Sequence, residues 1–384
     1  MPEVVVVGGG VIGASVAYHL AARGVRDVVV LDAAAHAGEG STGRATGGFR
    51  VQFANAIDVR LSLLARAKLL RFNDEIGGDC GYDRAGYLWI ASDDAELAVL
   101  RAALSLQRAN GVDDACEVDR DMIAQVNPAL RRDGVAGGTY CGSDGFIRPF
   151  AILSGYRRAA ERNGARFVWN ARVIGIDRAP DGRIVAVRTE RDVIGAGAVV
   201  NAAGAWAAAV ARLAGADLPV TPLRRQVAVT VPTQLLAAPM PMTIFARDGF
   251  HLRVRDGRVL LLLPAAGADD PFDVSVDPAW VDIVTRLARE RVPRLGDVEI
   301  DRAACWAGLY EMSPDGHAIV GRAPSVPNLY YANGACGHGV MHAPALGALV
   351  AEIVVDGAAT SLDVTALRPE RFASAEPLGA HELL

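Results

Sequence analysis

Three times along the chain a short apolar run, with no polar position to face solvent, ends in a glycine-bearing turn and passes into a helical pattern. The runs are residues 4–7, 199–200 and 329–332, and the turns carry Gly8, Gly10 and Gly13, then Gly204, then Gly334, Gly337 and Gly339. Unbroken apolar runs suit strands buried on both faces, the habit of parallel sheets covered by helices. The first unit is the fullest: strand, G-x-G-x-x-G turn, a helix over 11–23 closed by Gly24, a strand over 28–31, then Asp32. In that spacing the first glycine permits a tight turn, the second lets backbone approach a pyrophosphate, and the third allows close helix–strand packing. Free amides at the helix start, including those of Val11 and Ile12, face the phosphates. Asp32, 19 residues after Gly13, suits ribose hydroxyls and repels a 2′-phosphate. The unit predicts an unphosphorylated adenine dinucleotide as ligand.

Elsewhere the periodicity changes. Residues 57–76 keep helical spacing through Ile57, Leu61, Leu64 and Phe72, residues 87–91 read as a strand, and 93–110 as a helix closed by Gly111. A helix over 150–163 precedes strands near 166–170 and 173–177, and Asp181-Gly182 reads as a hairpin turn. From 219 to 306 the chain is β-rich, with strands at 226–231, 243–246, 250–254 and 259–263, an Asp256-Gly257 turn, and a helix over 278–291 capped by Asp277. The last helix is placed at 344–355, opening on Pro344, and the final ten residues are expected to form a mobile tail.

At 384 residues and 51% hydrophobic content the chain can bury a large core. Net charge is −5 and basic residues cluster only in pairs such as Arg131-Arg132 and Arg224-Arg225, so no nucleic-acid partner is expected. Cys80, Cys116, Cys141, Cys305 and Cys336 lack the spacing of a metal site, and reduced thiols in a cytoplasmic protein are expected. With the first strand starting by about residue 3, no signal peptide is expected, and the apolar run at 260–263 is too short to span a membrane. Lys68 is the one lysine among 39 basic residues, which excludes a P-loop.

Strand-to-glycine-turn segments far apart in sequence suit one long ligand held along its length, which favours FAD over a nicotinamide. Six segments carry a resemblance over nearly the whole chain: the Gly8 to Gly13 turn; Gly40-Ser41-Thr42-Gly43-Arg44-Ala45-Thr46-Gly47-Gly48; Asp144-Gly145-Phe146-Ile147-Arg148-Pro149; Asn201-Ala202-Ala203-Gly204-Ala205-Trp206; residues 306–321; and residues 334–339. In this order they resemble the D-amino acid oxidase superfamily of FAD enzymes, and within it the sarcosine oxidase, glycine oxidase and L-proline dehydrogenase β-subunit branch. The resemblance implies an α/β fold: a discontinuous Rossmann-like FAD-binding domain with an inserted antiparallel β-sheet substrate domain. The expected boundaries are 1–85, 145–218 and 307–384 for the first and 86–144 and 219–306 for the second.

By resemblance, Asp32 and Ala33 hold the adenosine ribose, and the loop with Ser41, Thr42, Arg44, Ala45, Thr46 and Gly47 holds the pyrophosphate and flavin edge. Val173 meets the adenine by its backbone, and Ala203, Gly204, Trp206 and Gly308 complete the cradle. Gly337, His338 and Gly339, followed by Val340 and Met341, take the pyrimidine end. The flavin is expected to be non-covalent. Sarcosine oxidases attach it through a cysteine where this chain has Gly308, and dimethylglycine dehydrogenases through a histidine where it has Arg44.

A substrate carboxylate calls for a bidentate guanidinium. Glycine oxidase relatives carry that arginine where this chain has Tyr310, whereas sarcosine oxidase relatives have one after the flavin loop, which Arg50 matches. Arg50 is read as substrate anchor or as a structural ion pair, and Tyr310 as a substrate hydrogen-bonder or a core aromatic. Of His251 and Arg253, one is expected to reach the pocket. His338 is expected to act through its backbone, and His342 as a helix cap or pocket residue. No metal is expected.

The function these residues imply is FAD-dependent oxidation of the C–N bond of a small amino acid or secondary amine, sarcosine-, glycine- or proline-like, giving an imine that hydrolyses. A flavin-linked 2-hydroxy-acid dehydrogenase and a non-catalytic assembly flavoprotein are the alternatives. Partner subunits or an electron-acceptor protein stay open. Sarcosine oxidases place a lysine beside the flavin N5; the matching stretch at 259–263 is aliphatic, so a dehydrogenase is expected.

Overall fold

The computed structural model describes residues 3–236, 238–265 and 267–373, and the expected terminal tail lies outside them. The three apolar runs meet in one six-stranded sheet whose order is Ile319–Arg322, Leu329–Asn333, Ala198–Asn201, Val4–Val7, Val28–Leu31 and Arg166–Val168. All neighbours are parallel except the first pair. Because side chains alternate, Val4, Val6, Val28 and Val30 pack under the helices Val11–Ala22, Ala56–Leu70, Pro149–Arg162 and Gly339–Asp356. Val5, Val7, Val29 and Leu31 pack on the other face against the helix Ala207–Leu213 and the small sheet Val173–Arg178, Ile184–Thr189 and Val193–Gly195. Two-sided burial is why these runs carry no polar position.

A second sheet of eight strands has the order Trp306–Met312, Thr221–Val229, Arg258–Leu262, His251–Arg255, Met242–Phe245, Tyr87–Ala91, Gly137–Cys141 and Ala115–Val118. It is not wholly antiparallel as expected: Met242–Phe245 and Tyr87–Ala91 run parallel. Those two come from distant segments with no hairpin between them, so no turn imposes the antiparallel sense. The boundary expected at 306/307 falls inside the edge strand Trp306–Met312. The outer face of this sheet is covered by the helix Pro278–Arg291. Asp256, with φ 51°, and Gly257, with φ 71°, make the left-handed two-residue turn of its central hairpin.

The last helix starts at Gly339, five residues before the expected Pro344, which lies inside it. Its 18 residues are long and apolar enough to cross a membrane by length and composition, but 72% of them are buried against the rest of the protein. Gly347 lets it approach the first helix: a Cβ there would collide with Ser15.

Candidate active site

The first turn is built by contacts that admit only glycine. Gly8 holds φ at 108° with its Cα against the Ala202 carbonyl, and a Cβ on Gly13 would collide with the Gly8 carbonyl. Asp32, at the end of the second strand, accepts from the Gly9 amide at 2.6 Å and the Ala34 amide at 2.8 Å, which leaves lone pairs free for ribose hydroxyls. Thr42 accepts from the Val11 amide at 3.1 Å, tying the 41–47 loop to the helix N-terminus.

From Asp32 a cavity of about 640 Å³ runs between the two sheets to Met341. Gly8, Gly10, Val11, Ile12 and Ala33 line it, as do Ser41, Thr42, Arg44, Ala45, Thr46 and Gly47 of the loop. Val173, Ala203, Gly204 and Trp206 line it from the second strand-turn unit, and Gly308, Tyr310, Gly337, Gly339, Val340 and Met341 from the third. Gly13 and His338 do not line it. Gly13 lies beneath the turn, and the His338 ring turns away to accept from Arg50, Nη2 to Nε2 3.2 Å. An elongated cleft with two helix N-termini and a glycine cradle fits a dinucleotide. When bound, FAD supplies a hydride acceptor; the chain supplies the groups around it.

The second sheet roofs this cavity with one face, and strand register fixes which side chains share it. Gly308 is opposite Arg225, Tyr310 opposite Leu223, and His251 opposite Leu262. Tyr310, Arg225, Val227 and Leu262 line the cavity. His251 and Arg253 stand two residues apart on one strand, so they share a face, but neither lines the cavity, and the expectation that one of them would reach it is corrected. Arg253 donates to the Thr46 carbonyl at 2.6 Å and the Gly47 carbonyl at 3.2 Å and stacks 3.5 Å over Phe146, clamping the loop. His251 is bonded to the Gly249 carbonyl through Nδ1 at 2.8 Å, so that nitrogen carries the proton and Nε2 is the acceptor. Burial, reinforced by Arg50 and Arg225, lowers its pKa to about 4, so the ring is neutral.

Arg50 lies against this same face farther along the sheet, beside Trp89. Its Nη1 donates to the Gln52 carbonyl at 2.9 Å, its guanidinium lies 4.2 Å from the Phe53 ring and 5.3 Å from that of Trp89, and it does not line the cavity. Nearby Asp144 accepts from the Val51 amide at 2.8 Å and from Gln52 at 3.1 Å; burial raises its carboxyl to about 7. His342 meets the Ser62 hydroxyl at 2.8 Å and does not line this cavity.

Sequence reasoning missed Arg225 and Glu311 as lining residues. Arg225 was visible only as half of a basic pair, and its face depends on which strand it joins. Glu311 is buried in the cavity wall, its Oε2 lacks a partner, and burial raises its pKa to about 7. Among the described residues no group of three or more His, Cys, Asp or Glu could hold a metal ion.

The pattern described as "DAO: FAD dependent oxidoreductase" matches residues 3–353. The chain belongs to the DAO family. Among solved structures, L-proline dehydrogenase from P. horikoshii superposes on this DAO-family fold with a TM-score of 0.91 at 28% identity, over 98% of this chain and 99% of that one. Glycine oxidase of Geobacillus kaustophilus is 28% identical over 92% of each chain. FAD-dependent oxidoreductase domain-containing protein 1 of Xenopus laevis is 29% identical over 98% of this chain and 83% of its own length. The protein is an FAD-dependent oxidoreductase of the DAO family, and the cradle from Gly8 to Met341 is where the family's cofactor fits.

Proposed function

We propose that the protein oxidises the C–N bond of a small amino acid or secondary amine, sarcosine-, glycine- or proline-like, to an imine that water then hydrolyses. One observation carries this reading: the roof of the FAD cavity presents the Arg225 guanidinium and the Tyr310 phenol on a single sheet face, beside the apolar Val227 and Leu262. The similarity to proline dehydrogenase and glycine oxidase supports it. Hydride departure needs a neutral amine, whose lone pair assists it. Arg225 on the roof, with Arg50 and Arg253 nearby, raises the local potential and disfavours an ammonium, so the bound amine loses its proton below its solution pKa. Val227 and Leu262 form an apolar wall against the substrate carbon. A 2-hydroxy acid would need a base for its hydroxyl proton, and His251, with a pKa of about 4, is a weak one.

Anaerobic titration of the holoprotein with proline, sarcosine and glycine, against 2-hydroxyglutarate, tests the proposal. The amines should bleach the flavin, with a reduction rate that rises with pH. Bleaching by the hydroxy acid alone would transfer the enzyme to that class, and no bleaching by either would leave the non-catalytic reading standing.

A further inference from the structure

On the reading above, in which the substrate amine carries a carboxylate, we infer that Arg225 binds that carboxylate, with Tyr310 at its side, and that Arg50 does not. Arg225 lines the cavity, and its guanidinium lies 5.6 Å from the centre of the Tyr310 ring. Its protein acceptors are neutral backbone carbonyls, Ala265 at 2.9 Å and Arg224 at 3.3 Å, both taken by Nη1. Among the described residues no carboxylate reaches ion-pair distance of it, and its Nε and Nη2 edge is unengaged. A partly buried cation without a counter-charge is costly, and an anionic ligand relieves that cost by accepting both hydrogens of the fork.

Arg50 and Arg253 do not line the cavity; of the other arginines that do, Arg44 gives its Nη1 to the Ala307 carbonyl at 2.7 Å and Arg172 lies 3.9 Å from Glu190. The register completes the pocket: beyond Arg225 come Val227 and Leu262, then His251 on the next strand. A carboxylate on Arg225 therefore puts the neighbouring carbon beside the apolar patch of Val227 and Leu262.

The test uses purified holoprotein and two readouts. Benzoate, a carboxylate that cannot be oxidised, is titrated while the visible flavin spectrum is followed; proline and pyrrolidine are then compared as reductants under anaerobic conditions. Arg225→Gln should weaken benzoate and proline by about 30- to 1,000-fold, the range for losing one partner of a desolvated charge pair. Pyrrolidine, which lacks the carboxylate, should respond equally in both forms. Arg225→Lys should recover part of the loss, and Arg224→Gln, on the opposite face of the same strand, should leave benzoate affinity at the parent value. Benzoate bound equally by Arg225→Gln and parent, or by neither, overturns the assignment. Loss of flavin rather than of carboxylate affinity in Arg225→Gln also overturns it, since the cation would then serve the cofactor. Arg225-dependent benzoate binding with no reduction by any amine would sink the amine reading and leave the anchor in place.

Discussion

Burial acts on His251 and Glu311 in the same way and leaves both uncharged over part of the physiological range, by lowering one pKa to about 4 and raising the other to about 7. For Glu311 the shift is a statement about stability. Its folded pKa lies above the ordinary 4.5, so the contribution is complete below that value and is lost as pH rises through about 7. Glu311→Gln removes this penalty and should gain stability relative to the parent between pH 5 and pH 8, by up to about 3 kcal/mol. Thermal melts of the holoprotein at both pH values check this, and a difference that does not grow with pH would show that the carboxyl finds a partner. Gly308 carries a second prediction. A side chain there would press on Arg44, whose Nη1 holds the Ala307 carbonyl at 2.7 Å, and no cysteine lines the cavity. The flavin should therefore be released by acid precipitation, and colour left in the pellet would refute this. Gly8, Gly13 and Asp32 were legible in the sequence because their roles follow from local spacing. Arg225 was not, because its neighbours come from strand pairing across 83 residues of chain, Arg225 to Gly308.

Elements with a strong period declared themselves, and weak ones did not. The helix expected at 93–110 runs Asp94–Ala109 with Asp93 as its cap, whereas the strands Ala115–Val118 and Gly137–Cys141 and the helix Arg120–Val126 went unread. Glycine in a strand argues against one by propensity, yet at Gly138 a Cβ would collide with the Trp89 carbonyl, so close strand approach requires it. Pro344 misled in the opposite direction, since proline favours a first turn but here sits within a helix that packing sustains. That packing is testable at the crossing of the first and last helices. Gly347→Val places its branches against Ser15 and should lower stability by about 1 to 3 kcal/mol, read from the urea midpoint. Flavin should also be lost more readily, because Ser15 lies on the first helix, whose N-terminus faces the phosphates. An unchanged midpoint would mean that the helices can slide apart without consequence.

For the whole molecule, the cavity lies between a sheet that grips the cofactor and a sheet that faces the reacting carbon. Its roof strand Arg258–Leu262 is aliphatic from Val259 onward, with Leu262 lining the cavity, and Lys68 lies on a helix near Glu75 and Glu352, not in the cavity wall. With no ammonium in the wall to stabilise a reducing oxygen, the reduced enzyme should pass electrons to a quinone or dye faster than to oxygen. Stopped-flow reoxidation compares the two, and equal rates would mark an oxidase. The order of the cofactor sheet bears on how the protein is made. Its strands are supplied from both ends of the chain, with Val4–Val7 seated between Ala198–Asn201 and Val28–Leu31 and with Leu329–Asn333 beyond. A ribosome must therefore have released the chain past residue 340 before the flavin pocket has all its walls, and everything made earlier waits with an open sheet edge exposed. Flavin supply in the cell should then govern yield, not only activity: riboflavin-starved cells should accumulate insoluble chain, and flavin added after synthesis should rescue little of it.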